Sequence, residues 1–172
     1  MTASPNPGGQ NRRMVRTALA QWLMAQRIQG LDHVYRSRPP EAALDLYRTG
    51  AAQYSCQAWI TLPADGEERL VKTGPILPTG KIIHYSVDLQ LWHKSYEPGE
   101  LDWADDEDDY DRIYDALKDC LRAAGRTAGR PEAIVSIGEF REGLAGRHVD
   151  PEEDNGAVER SGTLSFVVTQ VI

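Results

Sequence analysis

Apolar residues recur at helical spacing near the start of the chain. Over residues 11–29 they fall three or four positions apart and so share one side of a helix; they are Val15, Ala18, Leu19, Trp22, Leu23 and Ile28. The arginines beside or opposite that stripe are Arg12, Arg13, Arg16 and Arg27. Glycine is favoured just past a helix C-terminus, and Gly30 takes that place. The pattern predicts an amphipathic helix of about five turns.

Strict alternation of apolar and polar side chains predicts half-buried strands in three further segments. These segments are residues 51–62, 81–93 and 161–172. On the second of them the apolar face is Ile83, Tyr85, Val87, Leu89 and Leu91. Residues 132–140 predict a fourth strand. Turn-forming residues at 64–69 predict a hairpin turn, with a short return strand at 70–73.

The remaining elements have different patterns. Residues 106–124 predict a second amphipathic helix, whose buried stripe is Tyr110, Ile113, Tyr114, Leu117, Cys120 and Leu121. Weaker patterns predict a short strand around Val34 and Tyr35 and two helical turns at 41–48. Residues 141–160 show no periodicity and predict a long loop, which in a compact domain indicates function or disorder.

The order of these elements predicts one domain over residues 11–172. Strands with one polar face and two amphipathic helices indicate an α+β fold, with a mostly antiparallel four- to five-stranded sheet and helices packed on one face. Residues 1–10 are proline, glycine and small polar types, and we expect a disordered arm there.

Charge is distributed unevenly along the chain. The formal net charge is -7, yet residues 1–48 carry seven arginines against three acids, so the remaining residues are strongly acidic. A domain that binds nucleic acid normally presents a basic surface to the phosphates. The net negative charge of residues 49–172 argues against tight binding of DNA or RNA. It is compatible with a protein that DNA slides past.

Two further features concern the cellular compartment. No segment approaches the roughly 18 apolar residues of a membrane span. The first residues lack the apolar centre of a secretory signal, so we expect a protein made and kept in the cytoplasm. In that reducing compartment Cys56 and Cys120 are expected to be buried free thiols.

The closest approach to a phosphate-binding loop is GPILPTGK at residues 74–81. It has one residue too many between the glycines, and Ile82 stands where serine or threonine would hold magnesium. Pro75 and Pro78 remove backbone donors, and a strand follows where the helix N-terminus is required. The segment is therefore interpreted as a turn entering a strand.

A dense acidic cluster precedes and begins the second helix; its members are Asp102, Asp105, Asp106, Glu107, Asp108, Asp109 and Asp111. Carboxylates suit magnesium or calcium, but acids are also favoured at a helix N-terminus or on an interaction surface. Residues 150–156 resemble a calcium loop only in part, because Asn155 stands where the sharp-turn glycine belongs. The four histidines do not cluster, and no nucleophile elbow or dinucleotide fingerprint is present. We expect no catalytic site, metal or cofactor.

Two local patterns resemble the tail terminator (tail completion) proteins of long-tailed, siphovirus-type bacteriophages. The first is KIIHYSVDLQLWHKSYEPGELDWADDEDDYDRIYDALKDCLRA at residues 81–123, an alternating strand, an acid-rich loop and an amphipathic helix. The second is the final strand, SGTLSFVVTQVI. Together with a helix ahead of the sheet, the resemblance covers the layout of most of residues 11–172.

The resemblance implies a homo-oligomeric ring, a hexamer, docked on the last ring of tail-tube protein at the head–tail junction of the virion. Such a ring stops tube polymerisation and presents a surface to a neck or head-completion protein, while genomic DNA passes through its lumen without specific binding. We expect interface or lumen contacts from charged residues on the first helix, in the 95–109 loop and in the 141–160 loop. They are Arg12, Arg13, Arg16, Asp105, Asp106, Glu107, Asp108, Asp109, Arg147, Glu152, Glu153 and Asp154.

Three other interpretations stay open. The chain is compatible with a neck protein of the stopper or head-closure type, or with a non-viral adaptor domain whose N-terminal helix docks in a partner's groove. The third is an enzyme whose carboxylate cluster holds a metal. Binding to tail tubes, a monomeric state at high concentration and metal analysis distinguish these alternatives.

Overall fold

Nine helices and strands make up the described part of the chain. The computed structural model describes residues 7–44, 54–69, 81–95, 103–124, 134, 136–138, 147–154 and 157–171. The helices are α1 (Pro7–Ala25), α2 (Glu41–Leu44) and α3 (Trp103–Ala124). The strands are β1 (His33–Tyr35), β2 (Tyr54–Arg69), β3 (Lys81–Ser95), β4 (Ser136–Gly138), β5 (Arg147–Asp154) and β6 (Ala157–Val171).

The strands form a single six-stranded mixed sheet. Its main path runs β1-β2-β3-β6-β4, and β5 pairs with β6 beside this path. The β1–β2 pair is parallel, and the other four pairs are antiparallel. The predicted α+β class with a mostly antiparallel sheet is confirmed, with one parallel pair at the edge.

The register of the three long strands places their apolar side chains on one face. Ala58 lies opposite Leu91, and Leu89 lies between Ile60 and Leu164. All of these side chains are buried in one hydrophobic cluster. Because side chains alternate along a strand, the polar residues between them lie on the other face.

The two long helices cover the apolar face, as the sequence predicts. Helix α1 packs over β1 and β2, and α3 packs over β3, β4 and β6. Their buried stripes match the predicted ones, and the fully enclosed members include Val15, Leu19, Leu23, Ile113, Leu117 and Leu121. The short α2 lies instead at the opposite face, where the carbonyl of Leu44 accepts a hydrogen bond from Gln57 Nε2.

The boundaries of α1 differ from the prediction at both ends. The helix begins at Pro7, so the expected arm over residues 1–10 is wrong for residues 7–10; proline is well suited to a first helical turn because its φ is already helical. The helix ends at Ala25, ahead of Ile28. Arg27 and Gly30 have positive φ values of 51° and 92°, which turn the chain toward β1. Ile28 still packs against the core from this turn.

Two segments predicted to be turn or loop are strands. Residues 64–69 continue β2 and pair with β3 as far as Arg69 opposite Lys81, after a register shift between Thr61 and Ala64. Likewise the predicted loop at 141–160 contains β5 and the first residues of β6. Their polar composition hides the alternation of a strand, and pairing to a neighbouring strand holds them in place. The predicted strand at 70–73 and the loop residues 141–146 lie outside the described residues.

Gly162 allows α3 to approach the sheet closely. It lies in β6 opposite Leu91, beneath the stacked rings of Tyr110 and Tyr114, whose centroids are 6.1 Å apart. A Cβ atom at this position would overlap the Tyr110 hydroxyl and lie 3.0 Å from Cε2 of Tyr114. The absence of a side chain at residue 162 therefore sets the distance between helix and sheet.

We expect Gly162→Ala to lower the free energy of unfolding by about 1–3 kcal/mol, because a methyl group would push two buried rings away from the sheet. Urea denaturation measures the change. Gly138→Ala is the matched control, since a Cβ atom there meets nothing within 4 Å; we expect a change within about 0.5 kcal/mol. Equal unfolding midpoints for the two variants would contradict this account of the packing.

The two cysteines are free, as predicted; Cys56 is buried, whereas Cys120 is half-buried and not fully buried as expected. Burial raises the pKa of both thiols, so little thiolate is present near neutral pH. We expect a thiol reagent to modify Cys120 alone in the folded protein and Cys56 only after unfolding. The control is Cys120→Ser, for which no labelling of the folded protein is expected. Labelling of that variant at the rate of a free thiol would show that Cys56 is accessible.

Candidate functional site

The interior at one end of the sheet contains polar and aromatic side chains. His93 is completely buried; its ring stacks on Tyr54 at a centroid distance of 5.0 Å and meets Tyr110 edge-on at 5.9 Å. Cys56 lies opposite His93 on the neighbouring strand. Burial raises the pKa of both Tyr110 and Cys56, which keeps them neutral. His93, Cys56 and Tyr110 are buried and Tyr54 is half-buried, so the cluster contributes to packing at this end of the sheet.

Asp32 joins the start of β1 to β2 at the same end of the sheet. Its carboxylate accepts hydrogen bonds from the Cys56 amide at 2.9 Å and the Ser55 hydroxyl at 3.2 Å. The Asp32 amide in turn donates to the carbonyl of Cys56 at 2.8 Å. These bonds fix the edge strand β1 against the sheet.

The sheet face away from α1 and α3 is polar where it is open. His84 Nδ1 and Thr169 Oγ1 lie 3.1 Å apart, and Ser165 donates to Asp88 at 2.7 Å. A groove of about 490 Å³ lies over His84 and Thr169. The hydrogen bonds are cross-strand pairs that brace the sheet. The Thr169 hydroxyl and the His84 imidazole both line this groove, within hydrogen-bond distance of each other.

A second groove, of about 480 Å³, lies between α1 and the edge strand β1. We call it the edge groove; it is lined by Thr17, Ala20, Gln21, Met24, His33, Val34, Tyr35 and Arg36. The amide of Val34 donates to the thioether sulphur of Met24 at 3.1 Å, and so points away from β2. A thioether is a weak acceptor. The groove therefore presents an edge strand whose outward amide is only weakly satisfied.

The three arginines predicted on the first helix have different roles. Arg12 pairs with Asp65 at 3.1 Å and also donates to the carbonyl of Leu62, so it ties α1 to β2. Arg13 is exposed and has no ion pair within the described residues. Arg16 is half-buried, and its buried Nε has no hydrogen-bond partner there.

Arginines surround the edge groove. Arg13 and Arg16 lie one helical turn before the lining residues Thr17 and Ala20, on the same side of α1. Arg36 contributes directly to the lining. Arg27 and Arg38 are exposed nearby in sequence, and neither forms an ion pair with another described residue. The edge groove thus has a basic rim of Arg13, Arg16 and Arg36.

The predicted acids of the second helix lie on the first turns of α3. Glu107 and Asp108 are exposed, whereas the side chains of Asp105 and Asp106 lie outside the described residues. Asp109 is half-buried and pairs with Arg112 at 3.0 Å. Farther along, Asp115 and Asp119 pair with the basic residue three positions on. Among the acids of α3 whose side chains are described, those left without an ion pair are Glu107, Asp108 and Asp111.

Asp109 has an internal role in addition to its place in the cluster. Its pairing with Arg112 raises the pKa of the guanidinium and orients it. The other end of the same guanidinium donates to the carbonyl of Gln29 at 3.0 Å. Gly30 lies beside this contact, and its positive φ of 92° favours glycine. Asp109 therefore fixes α3 to the α1–β1 turn.

The charged residues predicted in the long loop lie on β5. The strand begins with Arg147 opposite Thr163 and ends with Asp154 opposite Ala157; Glu152 and Glu153 lie opposite Glu159 and Val158. Because β5 pairs with β6 on the side away from β3, it lies at the far edge of the sheet from β1. The sequence identified these residues but not the strand that holds them.

Sequence reasoning missed the edge groove. The available signals were the short apolar pair at Val34 and Tyr35 and the two methionines of the first helix. Met14 and Met24 are the large hydrophobic side chains that stay exposed among the described residues, at 45% and 37%. No three His, Cys, Asp or Glu side chains in the described segments lie close enough to hold a metal. None of the helices described there has the length and hydropathy to span a bilayer.

Arg12 and Arg13 should differ in how much each contributes to the free energy of unfolding. We expect Arg12→Ala to lower the free energy of unfolding by about 1 kcal/mol, because it removes a half-exposed ion pair and a bond to a buried strand carbonyl. Arg13→Ala is the matched control and should change stability by less than about 0.5 kcal/mol. Thermal or urea unfolding of both variants measures the difference. An equal loss in both would show that Arg13 has an internal partner.

Comparison with known proteins gives no assignment: the sequence matches no protein-family model, and a search of curated proteins finds no match.

Proposed function

We propose that the chain is a structural subunit of a bacteriophage tail. In this proposal a ring of subunits, a hexamer, caps the tube of tail-tube protein at the head–tail junction of the virion. The ring stops polymerisation of the tube and joins it to a neck or head-completion protein. The chain carries out no catalysis and needs no cofactor for this role.

The observation that carries the proposal is the separation of charge between the two edges of the sheet. Arg36 lines the edge groove at β1, and the exposed Arg13 lies one helical turn before the lining residue Thr17. Neither has an ion pair in the described part of the chain, whereas β5 at the far edge has an acidic sequence. Surfaces of opposite charge on one subunit favour contact between unlike edges of two copies. Such heterologous contacts generate rings when the rotation closes.

The polar sheet face and the overall charge are consistent with this role. Serine, threonine and glutamine side chains cover much of the open face, and they are suited to contact with another protein or with water. The formal net charge of -7 disfavours binding of phosphate. A lumen that repels the DNA backbone lets a genome pass without being held.

A second candidate function is that of an adaptor domain, which the edge groove favours. An exposed strand edge beside a helix is a common site for an extended peptide, since backbone hydrogen bonds supply affinity without a large interface. In that case the chain stays monomeric, and the groove accepts a segment of a different protein. Association state therefore separates the two candidates.

The decisive experiment mixes the purified chain with tail tubes assembled from the tube protein encoded in the same genome. We expect negative-stain images to show rings at one end of each tube, and tube elongation to stop when the chain is added. A chain that remains monomeric at high concentration and leaves elongation unchanged would overturn the proposal.

A double variant tests whether the unpaired acids Glu107 and Asp108 of α3 contact the tube or the neck protein. Glu107→Gln combined with Asp108→Asn removes two exposed charges and should leave the fold intact, because neither residue has an ion pair among the described residues. If α3 contacts the tube or the neck, this variant forms rings but caps tubes less often. Asp119→Asn removes one charge, paired with Arg122, at the other end of the helix and is the control for loss of charge outside this cluster.

A further inference from the structure

We infer that the edge groove of one subunit receives the β5 edge of a second copy, so that the two sheets continue across the subunit boundary. The inference rests on the proposed function and assigns its self-association to specific surfaces. The segment that occupies the groove is the acidic strand β5 of an identical chain.

The groove side of the contact offers both backbone and charge. Among the described strands β1 pairs only with β2, and the outward amide of Val34 donates to the sulphur of Met24. A backbone carbonyl is a better acceptor than a thioether, so an incoming strand improves this hydrogen bond. Arg36 lines the same opening, and Arg13 and Arg16 lie one helical turn before its lining residues Thr17 and Ala20.

The strand side offers the complementary features. Residues 147–154 contain one arginine and four acids, in the sequence RHVDPEED. The strand pairs with β6 on one side, and no other described strand pairs with it. Pro151 lies within it at a register shift between Val149 and Glu152, and proline inside sheets is found at edges and bulges. The three residues after the shift match the three-residue length of β1.

The same contact can recur from one subunit to the next. Because β1 and β5 lie at opposite ends of the sheet, every subunit donates one edge and accepts another. A contact between like edges would bring basic rim to basic rim, or acidic strand to acidic strand, and is electrostatically disfavoured. Charge therefore selects the head-to-tail arrangement, and added salt should weaken it.

Charge reversal tests the assignment with full-length chains. We expect Arg36→Glu to weaken self-association by roughly tenfold or more in sedimentation velocity, since it places a like charge against the acidic strand. Adding Glu153→Arg to the same chain should restore most of the association. Arg122→Glu reverses a charge on α3, away from the groove, at a residue that pairs with Asp119; it is the control for charge reversal and should leave association unchanged. Circular dichroism confirms that each variant is folded.

The outcomes separate this inference from the proposed function. Rings that cap tubes with unchanged association in Arg36→Glu would overturn the edge pairing and leave the tail role standing. Loss of tube binding without loss of self-association would assign the groove to the tube protein, which also overturns the pairing. A wild-type chain that stays monomeric, alone and with tail tubes, would overturn both.

Discussion

Burial of a single face of the sheet beneath two helices determines the rest of this structure. Cys56, Leu91 and Leu164 lie on neighbouring strands, and all three are buried in the same cluster with residues of α1 and α3. Because side chains alternate, a slip of one residue in any strand would exchange this face for its polar neighbour. Burial therefore fixes the register, and the register decides which charges and backbone edges remain available to other molecules.

The elements that sequence predicted well are those whose pattern comes from burial. The alternation in β3 and the helical stripe of α3 follow directly from contact with one core, so both can be detected in the chain alone. Strand β5 left no such pattern, because pairing with β6 holds it and its residues are mostly polar. The extension of β2 through Asp65 and Gly66 was missed for the same reason: turn-forming residues were placed in a strand by their partner across the hairpin.

The sequence indicated charged residues that lie near the candidate site, but it did not indicate the groove that they adjoin. The sequence identified the arginines of the first helix, yet it did not indicate that Arg12 would pair with Asp65, 53 residues away, while Arg13 remained exposed. That distinction depends on which side of α1 faces the sheet and on where the extended β2 passes. The edge groove depends in addition on the early end of α1 at Ala25, which turns the chain so that β1 lies beside Met24.

Two open sheet edges are a hazard for any protein, because each can pair with another chain. Here β1 has only three residues, and its outward Val34 amide is occupied by Met24, whereas β5 contains Pro151 and a run of acids. Neither the contact of Met24 with Val34 nor the proline and acids of β5 prevent strand pairing completely. Together they disfavour pairing of like edges while leaving basic against acidic pairing possible. In the proposed ring, the features that disfavour pairing of like edges also favour contact between β1 of one subunit and β5 of the next.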